Sequence, residues 1–392
     1  MKARIRTFID NILFTPKPLP ENTYRGNLPL PDGTNCRMHL RINDHGEGIL
    51  ILNASTILHL NPSATEFAYH LIQQTDDETI IKELVKRYQV SASSVQSDYE
   101  TFKGRLESLL LSPDLDPENF LDIDRIELHK ERFSSPLRLD CALTYQTSED
   151  SSPIVTPVDR VKRSLDTQEW KTILLKAWDK GIPHVVFTGG EPTLRPDLVE
   201  LVKFAEDTGQ VTGLLTDGAR LTETDYLHSL LSAGLDHIMI VLESKNPVSW
   251  EAIKDVINED ISLTVHITVS NTQPSKYKDL FDRLQGLQVK RISLSADSLE
   301  GGKMLSEVSR KALDYGFSLV WDLPVPYSEV NPIALELIQV ENSLKGAGRT
   351  WLYVEPDGDV LPGQGITTVL GNILTDPWET IWSAAKIWQH ES

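Results

Sequence analysis

The chain has 392 residues, of which 40% are hydrophobic and 24% are charged, so we expect a packed core divided over two or three domains. Its net charge of −19 argues against nonspecific binding to nucleic acid or acidic lipid, because phosphate contacts need clustered lysine and arginine. The two cysteines, Cys36 and Cys141, are far apart in the sequence, which is typical of a protein of the reducing cytoplasm.

The first eight residues are basic and amphipathic, but their apolar stretch is short and Asp10 interrupts it. This pattern predicts a docked terminal helix, with a partner-binding or membrane-surface role as the alternative, and neither a signal peptide nor a membrane span. Residues 1–35 are therefore assigned to an N-terminal segment.

Residues 36–110 predict a small α+β domain. Alternating apolar stretches between residues 37 and 60 indicate three strands, with a glycine-rich turn at residues 45–48. Asn61 and Pro62 mark a helix start, because proline at the first helical position loses no hydrogen bond. Three apolar stripes at helical spacing follow, up to Leu109. Residues 111–134, which contain prolines and several acidic residues, predict a linker.

Between residues 135 and 330, strand and helix patterns alternate strictly, which is typical of parallel βαβ units. The predicted strands cover residues 137–145, 184–188, 211–215, 237–242, 263–269, 291–294 and 317–321. The predicted helices cover residues 167–180, 195–207, 222–233, 248–257, 276–284 and 302–315. Six or seven such repeats suit an open or closed barrel, a fold that places its sites at the carboxyl ends of the strands.

Residues 331–392 predict a C-terminal extension, with a β-hairpin at residues 351–362 and a short helix after Asp376. The segment before it, residues 321–327, contains two prolines and predicts a stiff connection, with the lining of a binding groove as the alternative.

The motif Gly189-Gly190-Glu191-Pro192 comes directly after a predicted strand. Glycines at such a position let the backbone approach a ligand, and exposed N–H and C=O groups can bind its polar end. Glu191 could accept a hydrogen bond from an ammonium group. A tight turn with Glu191 as a solvated cap explains the same residues, so the motif alone leaves both interpretations open.

Four segments, taken in this order, resemble the radical S-adenosylmethionine (SAM) superfamily. They are residues 36–110, which resemble the leader-peptide recognition domain of the PqqD type; residues 137–145, similar to the family's first barrel strand; residues 189–192, similar to its SAM-binding loop; and residues 356–373, similar to the SPASM-type extension of peptide-modifying members. The resemblance implies an α/β fold: a partial (β/α)6 barrel with a winged-helix-like N-terminal α+β domain and a short C-terminal hairpin and helix. It also implies that Gly189, Gly190, Glu191 and Pro192 are candidates for binding SAM.

The chain departs from this family at the CxxxCxxC motif, whose positions fall on Thr147, Ser151 and Ile154. Isoleucine cannot ligate iron, and threonine and serine hydroxyls are poor ligands for it. Gly363 lies where related extensions carry a cysteine, and Cys141, a single thiol within a strand, is expected to be a buried core residue. We therefore expect no 4Fe–4S cluster and no reductive cleavage of SAM.

Other polar residues carry weaker expectations. The loop at residues 146–153 offers Glu149 or Asp150 as a base, although a solvent-exposed loop is favoured, and His266 is expected to be a hydrogen-bonded core residue rather than a ligand. The resemblance places Asp217, Gly218 and Asn271 where the family contacts the SAM ribose, and Glu243 and Ser244 where it has a small polar residue, so that the acidic Glu243 disfavours a SAM pocket. No GxSxG, GxxxxGK(S/T) or HExxH motif is present in the sequence.

Three functions remain open. The first is a pseudoenzyme whose N-terminal domain binds an extended leader peptide by strand addition, while the barrel docks a substrate or an active partner enzyme of a peptide-modification or cofactor-biosynthesis pathway. The second is a non-radical enzyme that uses SAM or another nucleotide, which a barrel interior filled by large apolar side chains would argue against. The third is a conventional radical SAM peptide maturase whose cysteines have been replaced.

Overall fold

The computed structural model divides into two compact units, residues 1–131 and 132–392, each with a sheet of its own. The residues that the structure describes are 17–29, 35–42, 45–52, 56–111, 135–148, 156–270, 275–320, 323–327, 333–334 and 346–391. The predicted terminal helix and, from residue 112, the predicted linker lie outside them. None of the helices in these ranges combines the length and the apolar character of a membrane span.

The first unit is an antiparallel sheet with three helices. Its strands are β1 (Asn22–Pro29), β2 (Asn35–Ile42), β3 (Gly48–Leu52) and β4 (Thr56–Leu60), which pair in that order. Its helices are α1 (Pro62–Ile72), α2 (Asp77–Tyr88) and α3 (Ala92–Leu111). Alternate strand residues such as Met38 and Leu40 form the core with Phe67 and Tyr99 of the helices. The predicted α+β character of residues 36–110 is confirmed.

The strand β1 is the one element of this unit that the sequence analysis does not predict. Of its eight residues only Leu28 is buried, so the strand lacks the apolar alternation that would reveal it. Gly26 lets β1 lie close to α1, because a Cβ there would be 2.8 Å from the carbonyl oxygen of Ile72. The sheet therefore has four strands, with β1 at one edge and β4 at the other.

The second unit is an α/β fold with a mostly parallel sheet. Its central strands are β5 (Arg138–Thr144), β6 (His184–Gly189), β7 (Val211–Thr216), β8 (His237–Val241), β9 (Ser262–Val269) and β10 (Arg291–Ala296). They lie side by side in sequence order and run parallel. The helices between and after them are α4 (Thr167–Asp179), α5 (Leu198–Thr208), α6 (Thr224–Ser232), α7 (Pro247–Ile257), α8 (Ser275–Gly286) and α9 (Leu299–Asp314). The predicted alternation of strand and helix is confirmed.

Further strands pair with both edges of this parallel sheet. Beside β10, the short strand β11 (Ser318–Leu319) pairs parallel and β12 (Ile333–Ala334) pairs antiparallel. Beside β5, β13 (Trp351–Val354) pairs parallel and forms an antiparallel hairpin with β14 (Asp359–Leu361), followed by β15 (Gly371–Asn372) and the helix α10 (Trp378–Glu391). The hairpin and helix predicted for the C-terminal extension are thus confirmed.

Cross-strand register divides the side chains of the parallel sheet into two faces. One face is apolar and includes Leu139, Cys141, Val185, Phe187, Leu214, Ile238, Ile240, Val265 and Ile292. We call it the helix face, since right-handed crossovers between sequential strands place their helices on one side. The opposite face, called the inner face, carries Arg138, Asp140, Ala142, His184, Thr188, Leu215, His237, Met239, Val241, His266 and Ser293, a mixture of charged, polar and apolar residues.

Near the amino ends of the strands, buried polar side chains on the inner face are paired with one another. The Arg138 guanidinium binds both oxygens of Asp140, at 2.6 and 3.1 Å. The Nε2 atoms of His184 and His237 are 2.8 Å apart, and the ring of His237 lies over Gly213, where a Cβ would be 2.1 Å from it. Burial lowers the pKa of His237 to about 3, so its imidazole is neutral.

Candidate functional site

The glycine motif lies against the loop that follows β5. The N–H of Gly190 donates to the carbonyl of Thr144 at 2.8 Å, and the N–H of Glu191 donates to the carbonyl of Gln146 at 2.7 Å. A Cβ on Gly189, which has a φ of +119°, would be 2.2 Å from the Thr144 oxygen, and one on Gly190 would be 2.1 Å from the Gln146 oxygen. The close approach of two segments of this chain therefore accounts for both glycines without a ligand.

The Glu191 carboxylate is buried and surrounded by donors. One oxygen accepts from the Thr193 N–H at 2.9 Å, the Thr193 hydroxyl at 2.6 Å and the Thr216 hydroxyl at 2.8 Å. The other accepts from the N–H of Asp217 at 2.7 Å. With a side chain only 1% exposed, Glu191 is not the solvated cap that one interpretation of the motif expects. Donors of the chain itself therefore bind both carboxylate oxygens, three of them at one oxygen and one at the other.

Two carboxylates come together at this point. Asp217 accepts from the hydroxyl of Ser148 and, through its other oxygen, from the N–H of Ala219 at 2.8 Å. Burial raises the pKa of Glu191 to about 7, and the neighbouring Asp217 charge acts in the same direction, although the hydrogen bonds from Thr193 and Asp217 oppose both. The arrangement ties the loops after β5, β6 and β7 to one another.

The residues that would hold an iron–sulfur cluster do not fit one. Thr147 is partly exposed in the loop after β5, whereas Ser151 and Ile154 lie outside the described residues, as do Glu149 and Asp150. Cys141 is fully buried on the helix face, and burial raises the pKa of its thiol well above the ordinary range. The other cysteine of the chain, Cys36, belongs to the core of the first unit. The prediction that Cys141 is a buried core residue is confirmed.

A polar network holds together the two ends of the loop at residues 146–155. The Thr156 hydroxyl donates to the carbonyl of Tyr145 at 2.6 Å. The Tyr145 hydroxyl donates to one oxygen of Glu355 at 2.9 Å, and Arg160 Nε donates to the other at 2.7 Å. Burial raises the pKa of Glu355, while Arg160 and Tyr145 oppose that shift. We call Tyr145, Thr156, Arg160 and Glu355 the loop clamp, a set that the sequence analysis missed.

Aromatic rings fill the inner face beside the loop clamp. Tyr327 packs edge to face against Tyr145 and Tyr353, with ring centres 5.9 and 6.2 Å apart. Ala142 and Leu361 complete this cluster, which we call the tyrosine cluster. It occupies the carboxyl end of β5, beside which the family would place its cluster-binding loop.

A second, apolar cluster covers the inner face two strands away. Leu215, Met239 and Val241 pack together, with the partly buried Leu323 against them. We call it the leucine cluster. Apolar side chains therefore cover the inner face over β7 and β8. Such a filling argues against a non-radical enzyme with an open nucleotide pocket.

His266 is a core residue, as predicted. Its Nδ1 lies 3.1 Å from the Ser293 hydroxyl and its Nε2 lies 2.9 Å from the Ser295 hydroxyl. Burial lowers its pKa to about 3, so the ring is neutral. Of the other candidates, Glu243 is partly buried and Ser244 is exposed, whereas Asn271 lies outside the described residues.

Comparisons with known proteins agree with the fold. Residues 141–261 match the family model of the radical SAM superfamily. The PqqA peptide cyclase of Rhizobium meliloti (strain 1021) is 26% identical over 261 residues, 59% of this chain and 68% of the relative. The PqqA peptide cyclase of Bradyrhizobium diazoefficiens is 27% identical over 288 residues, 66% of this chain and 74% of the relative.

Among solved structures, SuiB of Streptococcus suis bound to its precursor peptide SuiA superposes with a TM-score of 0.56 at 15% identity, over 88% of this chain and 86% of SuiB. SuiB bound to S-adenosylmethionine superposes with a TM-score of 0.55 over 91% of this chain and 88% of SuiB. At this level of identity the likeness concerns the fold. Residues 141–261 are thus similar to the radical SAM superfamily, and the α/β fold of the second unit is like that of the SuiB structures.

Proposed function

We propose that this chain is a pseudoenzyme related to the radical SAM peptide-modifying proteins, which binds a peptide and forms no 4Fe–4S cluster. The observation that carries the proposal is the chemistry of the donor set. The chain has two cysteines; one is in the first unit, and the other is buried on the helix face of the second. Three thiolates at one loop, which the family's chemistry needs, are not available.

The first unit is the proposed peptide-binding part, of the PqqD-like type. Its sheet ends at β1 and β4, and within the described residues each of these strands has a single neighbour. An extended leader peptide can add to such an edge through main-chain hydrogen bonds. The relatives support a peptide partner: two are named PqqA peptide cyclases, and SuiB is bound to a precursor peptide.

The second unit is the proposed docking scaffold for a substrate or an active partner enzyme. Its carboxyl-end loops are held by Glu191, Asp217 and the loop clamp rather than by a metal centre. SAM at Gly189, Gly190, Glu191 and Pro192 stays a prediction. The burial and internal hydrogen bonds of Glu191 and the apolar leucine cluster support the pseudoenzyme over a non-radical SAM enzyme. The cytoplasmic location also stays a prediction.

The test is calorimetric titration of the iron-free full chain with synthetic peptides from short reading frames beside its gene. We expect saturable binding of one of them without iron, sulfide or SAM, and no binding of a scrambled peptide of the same composition. Absence of binding by every peptide, or binding that needs a reconstituted cluster, would contradict the proposal.

A further inference from the structure

Residues 323–327, Leu-Pro-Val-Pro-Tyr, contact both clusters of the inner face. Leu323 packs against Leu215, Met239 and Val241. Tyr327 lies within the tyrosine cluster, with its hydroxyl 3.4 Å from that of Tyr145. Residues 324–327 are all buried. One short segment therefore has an apolar anchor at one end and an aromatic anchor at the other.

The distance between the two clusters suits an extended segment of this length. Four residue steps span at most about 14 Å, and β5 lies two strands from β7 and three from β8, at about 4.8 Å per strand. Since β6 lies between β5 and β7, a segment that joins the two clusters by the direct route passes over β6. The residue of β6 beneath that path is Thr188, which shares its face with Ala142 through the β5–β6 register and lies next to the strand that carries Leu215.

Side chains rather than the backbone hold the segment. Pro324 and Pro326 have no N–H to donate, and within the described residues no hydrogen bond joins the backbone of residues 323–327 to the backbone of another segment. Beneath the path, the hydroxyl of Thr188 is fully buried and has no hydrogen-bond partner among the described residues. A buried hydroxyl without a partner is unusual, and it marks the part of the inner face that this segment would expose if it moved away.

We infer that residues 323–327 form an internal strap that closes the inner face of the sheet, and that any ligand of this face must displace it. The strap is tethered to the sheet that it covers, so its effective concentration there is high and a free ligand competes with it at a disadvantage. Displacement removes the Leu323 and Tyr327 anchors together and uncovers Thr188 between the two clusters. Access to the inner face is therefore a conformational equilibrium within the second unit.

Thiol labelling of the full chain tests the strap. A Thr188→Cys substitution places a thiol beneath it without removing a hydrogen bond, and the native Cys36 and Cys141, both fully buried, report any general loosening. In this background we expect Leu323→Ala and Tyr327→Ala each to accelerate maleimide labelling at position 188 by about tenfold or more, since each removes one anchor. Labelling of Cys141, on the helix face of the neighbouring strand, should not change.

The control is Leu299→Ala, which truncates a leucine of similar size that is 67% exposed on α9, and which should leave all three labelling rates unchanged. Unchanged labelling at position 188 in both anchor variants would overturn the strap. So would acceleration shared equally by Cys36 and Cys141, because it would show general unfolding instead of selective opening. Since no peptide takes part, this result is independent of the proposed peptide binding.

Discussion

Glu191 belongs to the glycine motif, which resembles the SAM-binding loop of the radical SAM superfamily. Its carboxylate is buried at the carboxyl end of β6, and four donors from Thr193, Thr216 and Asp217 surround it. A carboxylate that already accepts four hydrogen bonds is a positioning group for the loops around it. Because its pKa in the folded chain is about 7, this role is linked to pH.

The sign of that linkage follows from the raised pKa. The folded state holds the Glu191 proton more tightly than the unfolded chain does, where the carboxyl has its ordinary pKa near 4.5. Its contribution to stability is therefore fully present below the unfolded pKa and is lost as pH rises from there through the folded pKa. We predict that the free energy of unfolding of wild type, relative to that of Glu191→Gln, decreases by roughly 3 kcal/mol between pH 4.5 and pH 8.

Urea unfolding of the two proteins at several pH values measures this difference. Glutamine keeps the size of the side chain and removes its titration, so charges elsewhere cancel in the comparison. Asp217, Tyr226 and Arg220 are the titratable neighbours from the adjoining segments, and all three are retained in the variant. A difference that stays constant over the pH range would show that Glu191 does not titrate there.

Glu355 is the second buried carboxylate with a structural role, because its two oxygens bind Tyr145 and Arg160, which lie on either side of residues 146–155. Glu355→Gln removes the charge that pairs with Arg160 at 2.7 Å. We predict a loss of about 1.5 to 3 kcal/mol in the free energy of unfolding, as for hydrogen bonds to charged groups. Thermal or urea unfolding of the full chain measures it.

Glu379→Gln is the matched control for that prediction. Glu379 also binds a cation at 2.7 Å, Lys180, but its side chain is 72% exposed. Exposed ion pairs contribute little to stability, so this variant should unfold like wild type. An equal loss in the free energy of unfolding in the two variants would mean that Glu355 stabilises the fold no more than an exposed ion pair does.

At the scale of elements, the turn from β6 into the glycine motif is the most constrained segment. Gly189→Ala would place a Cβ 2.2 Å from the Thr144 carbonyl oxygen, at a φ of +119°. We predict a destabilisation of about 2 to 4 kcal/mol, because the end of β5 must shift to make room. Chemical unfolding in the absence of any ligand measures it, and thus separates a structural role of this glycine from a ligand-binding one.

Gly286→Ala is the control for the turn. Gly286 ends α8, and a Cβ there would meet nothing within 4 Å. Alanine favours a helix more than glycine does, so this variant should be as stable as wild type or slightly more so. If Gly189→Ala were equally harmless, the close approach of the two loops would not be essential to the fold.

The sequence predicts most of these elements because their patterns are local. All seven strands and six helices predicted for the α/β region have counterparts, and α4 and α5 are followed by Gly181 and Gly209 with positive φ, a common way for a helix to end. The strand β1 is missed because only Leu28 is buried in it. A strand held mainly by main-chain pairing with β2 leaves no apolar period in the sequence.

The site is predicted less completely than the fold, because its contacts join distant residues. The glycine motif and the core positions of Cys141 and His266 can be inferred from the sequence around them. The bond between Tyr145 and Glu355 joins residues 210 positions apart, and nothing local marks either one. A buried glutamate just before the Pro-Asp-Gly turn of a hairpin is the nearest signal, and its partner is visible only in the fold.

At the scale of the whole molecule, the second unit has an α/β fold like that of SuiB, and internal side-chain contacts hold the carboxyl ends of its strands. The loop clamp joins residues on either side of positions 146–155, four donors bind Glu191, and the strap lies across the inner face. All three features are internal to the second unit, so on the proposed function the fold needs no metal centre for its stability.

The most direct test of the central claim is anaerobic reconstitution of the full chain with iron and sulfide, followed by absorbance and iron analysis. We predict no 4Fe–4S cluster in wild type, because Cys36 and Cys141 are buried in separate units. The triple substitution Thr147→Cys, Ser151→Cys and Ile154→Cys restores the family's ligand spacing and is the matched comparison. A stable cluster in wild type, in near-stoichiometric amount, would contradict the account.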